Sequence, residues 1–335
     1  MRRLARKLFL PVSLLIIGAA AAIVPLPFFV ESPGGAFPLS ERAYINEEAT
    51  ALNGDFLYTT VSLTRAAIWD LVLASLDETT GARRVEQVVP PDVTTRQYFN
   101  RQREIFSATA EVAAAVGLRA AGYDIGPDDF DGEGALVTEI VPGSAADGVL
   151  IPGDVITAAG GRPVAIADDV RDATAASEGG LLPLTVERDG HQREFVVEPA
   201  PVPDVAEDPI IGIVLETLEP RIQLPLEVRV DAGRTGGPSA GLMIALAIFD
   251  IVDPVNLADG RQIAGTGTIT FDGEVGRVGG IAHKVRAASR RDVDVFVAPA
   301  SQAEAARTAV PEGHALEVIG VETFDDAVEL LRPDR

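Results

Sequence analysis

Gly236-Gly237-Pro238-Ser239-Ala240-Gly241 is the stretch that decides the fold, because an uninterrupted apolar run of good helix formers, Leu242–Phe249, follows it. The glycines predict a tight turn, and the run predicts a buried helix with Pro238 at its first position, where the missing N–H costs nothing. Ser239 is then expected at or near the helix N-terminus, where free backbone N–H groups favour negative charge. A capped, buried helix without a catalytic role explains this stretch equally well.

Lysine is almost absent from the chain. It occurs only at Lys7 and Lys284, among 28 lysines and arginines, and Lys284 ends the segment Val278-Gly279-Gly280-Ile281-Ala282-His283-Lys284. Arginine is effectively always charged, whereas a buried lysine can lose its proton. The single lysine outside the N-terminus therefore suggests a need for a neutral amine, with chance usage as the alternative.

These two segments together resemble the proteolytic domain of Lon-type serine proteases, which use a Ser–Lys dyad. Lys284 follows Ser239 by 45 residues, and the resemblance covers about residues 204–331. It implies that Ser239 is the nucleophile and Lys284 the general base. Thr266 matches a threonine that helps to orient the lysine. Gly236 departs from the pattern, because many relatives carry an acidic residue there.

The resemblance sets a physical requirement for the lysine. Its pKa must fall well below the usual value of about 10.4 if it is to act as a base near neutral pH. Burial lowers the pKa of a lysine, and Ile281, Val285 and the apolar helix after Ser239 could supply a dry environment. From the turn chemistry, backbone N–H groups around Gly237 and Ala240 are the expected oxyanion donors.

Two other interpretations stay open. The first is a Ser-His-Asp triad, but His283 adjoins Lys284 on a helix, where neighbouring residues point in different directions, and His314 lies in a Pro-Glu-Gly-His turn. The second is a catalytically inactive, membrane-tethered scaffold that only binds peptides. The presence of both dyad residues argues against the scaffold.

Composition excludes several classes of function. A formal net charge of −22 disfavours binding to nucleic acid. The 335 residues include no cysteine, which rules out disulfides and thiol catalysis, and the three histidines lack metal-ligand spacing. No phosphate-binding loop of the Gly-x-x-x-x-Gly-Lys-Ser/Thr type is present. We therefore expect no metal, no cofactor and no dependence on ATP, unlike the Lon proteases that carry an ATPase module.

The N-terminal segment predicts a membrane anchor. An uncharged run over residues 8–30 follows a basic tip that includes Arg2, Arg3, Arg6 and Lys7. As a helix this run would be about 34 Å long, enough to cross a bilayer core. The basic flank predicts a single-pass protein of the cell membrane, with a cytoplasmic N-terminus and an extracytoplasmic catalytic domain. A signal peptide cleaved near Ala19–Ala22 is the alternative.

Residues 134–200 resemble a PDZ domain, on the stretches Pro142-Gly143-Ser144-Ala145-Ala146 and Pro152-Gly153-Asp154-Val155-Ile156. PDZ domains bind extended peptide ends by adding a strand to a sheet edge. The resemblance places the carboxylate-binding loop at residues 132–134 and implies that Gly134, Ala135 and Leu136 bind substrate. The alternative is a small β domain that only separates the catalytic domain from the membrane.

The alternation of strands and helices after Ile210 predicts a layered α/β domain. The sequence therefore predicts an α/β (α+β) multidomain chain, with an anchor over 1–30, an extracytoplasmic spacer and packing region over 31–125, a PDZ-like domain over 126–203 and a Lon-type proteolytic domain over 204–335. The predicted function is ATP-independent serine endopeptidase activity on protein or peptide substrates. Relatives assemble into rings, so the resemblance also implies a homo-oligomer.

Overall fold

The computed structural model describes residues 24–49, 52–77, 79–90, 93–126, 129–202 and 206–333. Its elements fall into three consecutive regions of the chain. The first region contains β1 (Phe28–Pro38), β2 (Ala43–Ile45), β3 (Glu48–Ala49), β4 (Asp55–Arg65), α1 (Ile68–Ala74), β5 (Gly81–Arg84) and α2 (Thr95–Ala120). The second contains β6 (Phe130–Asp131), β7 (Ala135–Ile140), β8 (Val155–Ala159), β9 (Arg162–Pro163), α3 (Ala167–Ala176), β10 (Leu182–Arg188), β11 (His191–Val197), β12 (Ala200–Val202), β13 (Ala206–Ile210) and β14 (Ile213–Thr217). The third contains β15 (Arg221–Ile222), β16 (Val228–Val230), α4 (Gly241–Val252), β17 (Gln262–Gly265), β18 (Thr268–Ile269), β19 (Val275–Gly276), α5 (Ile281–Ser289), β20 (Val295–Pro299), α6 (Ala303–Thr308), β21 (Glu317–Val321) and α7 (Phe324–Leu331).

A six-stranded sheet in the order β21-β20-β17-β4-β1-β5 is the centre of the structure. The four strands from β21 to β4 are parallel, and β1 and β5 extend the sheet in antiparallel fashion. Three of the six strands come from residues 28–84. The region that the sequence suggested as a spacer is therefore part of the same sheet as the strands that follow the serine turn.

Helices cover both faces of this sheet. On one face α4 packs against α2 and α7, and its residues from Gly241 to Asp250 are all buried. On the other face α5 and α6 pack against alternate residues of the same strands, such as Leu57 and Phe296. The apolar run after Ser239 is thus explained by burial on every side. The result is a three-layer α/β arrangement, as the alternating sequence pattern predicted.

The predicted membrane-spanning helix is wrong over its described residues. Phe28, Phe29 and Val30 lie in β1, which pairs with β4 on one side and β5 on the other. Phe29 is buried and makes an edge-to-face contact with Phe99 of α2, with ring centroids 6.1 Å apart. A strand with neighbours on both sides of it and helices over the sheet can be continuously apolar, so hydrophobicity alone does not distinguish it from a helix.

Residues 1–23, which held the rest of the predicted span, lie outside the described residues. Within the described ranges, no helix combines the length and the apolarity that crossing a bilayer requires. This finding contradicts the single-pass membrane architecture and the localisation that was inferred from it.

A second sheet, in the order β11-β10-β8-β7-β14, forms the PDZ-like part. Its own core includes Val137, Ile156, Val170 and Leu184. The outermost strand β14 follows β13 in the chain and lies beyond residue 203, where the sequence suggested that the PDZ-like domain ends. The PDZ-like part packs on α2 through Leu136 and Val155 against Ile105.

A buried carboxyl group lies at this junction. Glu216 of β14 is 5 % exposed, and its Oε2 lies 3.1 Å from Oγ1 of Thr109 on α2. Thr109 Oγ1 also lies 2.9 Å from the carbonyl oxygen of Ile105. The Thr109 hydroxyl has one proton to donate, so the Glu216 carboxyl and the Ile105 carbonyl compete for it. Burial, only partly offset by Thr109 and Arg171, raises the pKa of Glu216 from 4.5 to about 8.

This raised pKa predicts that the protein loses stability as the pH rises. Between about 4.5 and 8 the folded protein holds the Glu216 proton and the unfolded chain releases it, so the free energy of unfolding falls across that window. Glu216→Gln should remove this contribution, and its advantage over the wild type should grow between pH 5 and pH 8 by on the order of 3 kcal/mol. Urea denaturation at both pH values measures it. Glu187→Gln, at an exposed site in the same sheet, is the control, and a pH dependence unchanged by Glu216→Gln would contradict the prediction.

Candidate active site

The serine turn lies immediately before α4. Gly237 has a φ of +85°, which favours glycine, and its N–H donates to the carbonyl of Gln102 on α2 at 2.7 Å. The helix begins at Gly241 with Ala240 as its N-cap, so Pro238 and Ser239 lie in the turn instead of the first helical turn. Ser239 is half-buried at this point.

The predicted oxyanion donors have different environments. The N–H of Gly237 is occupied by Gln102, so it is not free to bind an oxyanion in this arrangement. In the described part of the chain, no hydrogen bond occupies the N–H groups of Ser239 and Ala240, which lie at the start of α4. These two groups are better candidates than Gly237, because a helix N-terminus favours negative charge.

Lys284 lies in the second turn of α5, whose N-cap is Gly280 in the left-handed conformation (φ +65°). It is 4 % exposed, and its Nζ donates to Thr266 Oγ1 at 3.0 Å. Burial lowers the pKa of Lys284 from 10.5 to about 8, while the negative charge of Glu139 acts in the opposite direction. A substantial fraction of this amine is therefore neutral near physiological pH.

Thr266 links the lysine to the serine turn. Its Oγ1 accepts from Lys284 Nζ and donates to the backbone carbonyl of Ser239 at 2.9 Å. The same carbonyl accepts the N–H of Gly267 at 3.0 Å. Among the described residues, no hydrogen bond joins Ser239 Oγ directly to Lys284 Nζ. The contact between the two predicted dyad residues runs through Thr266.

The topology explains why these residues meet. The serine precedes α4 on one face of the central sheet, and the lysine is on α5, on the other face. Two helices on opposite faces can bring groups together only beyond the end of a strand. β17 ends at Gly265, and Thr266 is the next residue, with its N–H bonded to Val297 of β20. The site therefore lies at the carboxyl end of a parallel strand, where ligands commonly bind in open α/β sheets.

The histidines lie apart from this hydrogen-bonded chain. His283 Nε2 is 4.0 Å from a carboxylate oxygen of Glu31 on β1. His314 is exposed in the turn before β21. No hydrogen bond in the described ranges joins either ring to Ser239, so the geometry gives the triad interpretation no support.

The predicted peptide-binding residues of the PDZ-like part are interior to the sheet. Ala135 and Leu136 pair with β8 on one side and with β14 on the other, and both are buried. Gly134 is bonded to Ala165 and Leu218 through its N–H and carbonyl. β7 thus has a neighbouring strand on each side, whereas β11 and β14 are the edge strands of this sheet.

Two residues near the site were not identified from the sequence. Glu139 of β7 lies close to Gly279, just before α5, and Gln102 of α2 holds the serine turn. Neither belongs to a motif, and each is more than 100 residues from the segment it contacts. Only the fold brings them to the site.

Comparison with known proteins agrees with this architecture. Residues 223–332 match the family profile of the Lon protease (S16) C-terminal proteolytic domain. Residues 136–188 match a PDZ domain profile. The Lon protease of Campylobacter jejuni is 32 % identical over 108 residues, which are 31 % of this chain and 13 % of that protein. The chain thus spans about an eighth of the length of this relative.

Solved structures similar to this chain include PDZ domains of SdrC-like proteins. The domain from Listeria monocytogenes is 21 % identical and covers 25 % of this chain and 87 % of its own, with a TM-score of 0.23. The domain from Listeria innocua is 20 % identical and covers 24 % of this chain and 92 % of its own, also with a TM-score of 0.23.

The geometry of Thr266 predicts a specific stability effect. Thr266→Val removes the acceptor of the buried amine and one donor to the Ser239 carbonyl, and should destabilise the protein by about 1–3 kcal/mol at pH 7, where most of the amine is charged. Thr266→Ser keeps the hydroxyl and should cost less than half as much. Urea denaturation of the two variants checks this, and equal stability losses would show that the hydroxyl contacts are unimportant.

Proposed function

We propose that this chain is a serine endopeptidase in which Ser239 is the nucleophile and Lys284 the general base. The observation that carries the proposal is the buried amine of Lys284, with a pKa of about 8, hydrogen-bonded through Thr266 to the serine turn. The match of residues 223–332 to a Lon-type proteolytic domain supports the same reaction class.

The proposed chemistry uses one N–H bond and the lone pair of the Lys284 amine. A neutral amine has two N–H bonds and one lone pair, so one N–H stays on Thr266 while the lone pair accepts the proton of the Ser239 hydroxyl. Ser239 Oγ then bonds to the peptide carbonyl carbon. The N–H groups of Ser239 and Ala240 stabilise the resulting oxyanion. When the C–N bond breaks, the ammonium returns its proton to the leaving amine, and an ester remains on Ser239.

Water completes the reaction. The amine of Lys284, neutral again, takes a proton from a water molecule that attacks the ester carbonyl. The Ser239 alkoxide leaves and recovers the proton from the ammonium. The carboxylic acid product is released, and the proposed reaction consumes only the peptide and water. Because the chain has no phosphate-binding loop, we infer that its peptidase activity needs no nucleotide.

The unit that performs this chemistry is larger than the predicted proteolytic domain over 204–335. Strands β1, β4 and β5 complete the sheet, and α2 supplies the contact that holds Gly237. We infer that residues 28–120 are part of the catalytic unit and that the fragment 204–335 is inactive alone. Assembly into a homo-oligomer stays a prediction from the resemblance.

The dyad proposal predicts matching losses of activity. Ser239→Ala and Lys284→Arg should each lower kcat/KM on a peptide substrate about 10³-fold or more, because guanidinium does not deprotonate, and the double variant should lose little beyond either single variant. Wild-type activity should rise with pH around a midpoint of about 8, since only the neutral amine accepts the proton. Hydrolysis with and without ATP and Mg²⁺ should be equal.

One control lies on the lysine helix and the other lies outside both the lysine helix and the serine turn. Arg286→Lys changes an arginine two residues away from Lys284, and Ser301→Ala removes an exposed serine. Both should retain activity, and circular dichroism should show that every variant folds. Substantial hydrolysis by folded Lys284→Arg would refute the assignment of the base. Failure of the wild type to hydrolyse peptides or to react with a serine-directed probe would support the scaffold alternative.

We further propose that the PDZ-like part selects protein substrates at the edge strand β14. Val137 of β7 uses its N–H and carbonyl for Asp154 and Gly153, so Leu215, which faces Val137 across the pair, directs its own groups away from β7. In the described part of the chain, β14 has only one neighbouring strand, and α3 lies beside it. This edge is suited to the addition of a peptide strand.

A competition experiment tests the role of β14. An apolar hexapeptide with a free carboxyl terminus should slow the cleavage of an unfolded protein several-fold, with a much smaller effect on a short fluorogenic peptide. The same hexapeptide with an amidated terminus is the control and should inhibit less. Equal inhibition of both substrates would show competition at the serine instead.

A further inference from the structure

Glu139 connects the PDZ-like part to the helix of the candidate base. It lies near the end of β7, opposite Val214 of β14. Its two carboxylate oxygens are 3.2 and 3.3 Å from the position that a Cβ atom would occupy on Gly279. Gly279 precedes Gly280, the N-cap of α5, and Lys284 follows in the second turn of that helix. A carboxylate of the PDZ-like part therefore lies directly against the turn that begins the lysine helix.

The charged groups around Glu139 come from four elements. Lys284 of α5 and Arg83 of β5 attract its negative charge, and Glu31 of β1 repels it. Tyr98 of α2 faces the same carboxylate, which contributes to raising the pKa of the phenol. Glu31 is itself paired with Arg83 at 2.8 Å, so the positive charge of Arg83 is shared between the two carboxylates. Lys284 is the remaining cation of this set.

Glu139 is both accessible to solvent and enclosed by protein. More than a third of the residue is exposed, yet the two parts of the chain flank its carboxylate closely enough for desolvation to raise its pKa. A carboxylate that is open to solvent on one side and flanked by protein on the other has both properties. Water on the open side screens its field, so its effect on Lys284 should be moderate and not that of a fully buried ion pair.

We propose that Glu139 is a positioning residue for the base, held by the PDZ-like part where its negative charge favours the ammonium form of Lys284. This inference rests on the proposed peptidase function. It makes the fraction of Lys284 in the neutral form depend on the position of β7. Movement of β7 away from α5, or neutralisation of Glu139 by a basic side chain of a substrate, shifts Lys284 toward the neutral form that accepts the serine proton.

A carboxylate at the N-terminus of a helix also has a simpler role, which is to stabilise the helix dipole. That role predicts a change in stability when Glu139 is replaced. It does not require the protonation midpoint of Lys284 to follow the charge of Glu139. The titration of Lys284 therefore separates the two roles.

The scarcity of lysine makes this titration measurable without any enzyme assay. Because the chain has only Lys7 and Lys284, selective ¹³C labelling of lysine gives two side-chain Cε signals, and Lys284→Arg assigns them. Glu139→Gln should lower the midpoint of Lys284 by about 0.5 to 1 pH unit. Glu139→Asp, which keeps the charge, should stay within about 0.3 pH unit of the wild type. Glu133→Gln, which removes an exposed carboxylate just before β7, should not move it.

The same variants are then assayed for peptide hydrolysis across pH. The rise of activity should move to lower pH in Glu139→Gln by the amount found for the Cε signal. An unchanged or higher Lys284 midpoint in Glu139→Gln, or an equal shift in Glu133→Gln, would overturn the inference. If Glu139→Gln does not fold, the salt dependence of the wild-type Lys284 midpoint decides. The midpoint should fall as salt screens the charge of Glu139, and a midpoint that does not fall would overturn the inference. Absence of hydrolysis by the wild type overturns the proposed function, while the Cε titration still decides the electrostatic coupling.

Discussion

The burial of one amine is the constraint on which the candidate site depends. Lowering the pKa of Lys284 from 10.5 to about 8 corresponds to roughly 3 kcal/mol against the charged form, and the rest of the fold has to supply it. This free energy comes from the packing of α5 on the central sheet, where Val285 and Ala288 lie in the core below the lysine. Thr266 then limits the cost, because the buried nitrogen keeps a hydrogen-bond partner whether it is charged or neutral. Burial therefore lowers the pKa of the lysine, while the bond to Thr266 keeps its amine hydrogen-bonded.

The first third of the chain contacts both parts of the candidate site. The lysine helix packs on β1 and β4, and the serine turn is held by α2 through Gln102 and Gly237. Glycines allow this close packing. A Cβ atom on Gly117 of α2 would lie 2.6 Å from the carbonyl oxygen of Ala245 on α4, and one on Gly265 would lie 2.5 Å from Met243 Sδ. The helices and the end of β17 therefore approach each other as closely as backbone contact permits. Residues 28–120 contain neither the serine nor the lysine, but they contact both the serine turn and the lysine helix.

Local patterns predicted local structure well and long-range pairing poorly. The apolar run after Ser239 is a buried helix, as its composition predicted. The layered α/β arrangement follows from the alternation of elements. The apolar residues Phe28–Val30, in contrast, were assigned to a membrane helix, since hydrophobicity does not reveal that β4 and β5 flank them. The predicted peptide-binding residue Ala135 lies in a strand with neighbours on both sides, and no local signal shows that β14, some 75 residues later, pairs outside β7. The contacts of Gln102 with Gly237 and of Glu139 with Gly279 are also long-range contacts that no local pattern shows.

β14 is an edge strand of the PDZ-like sheet, and its residue Val214 pairs directly with Glu139 of β7. A peptide bound to β14 and the lysine would lie on opposite sides of this strand pair. A peptide strand on β14 would lie about 10 Å from β7, two strand spacings away. Rotation of that pair relative to α5 changes the distance between the Glu139 carboxylate and the turn at Gly279, and so changes the field at Lys284. The Glu139 side chain is exposed, but Leu136 of the same strand packs on Ile105 of α2, so that contact would limit such a movement. A peptide bound at this edge would thereby be connected to the protonation of the proposed base through the pair Val214 and Glu139.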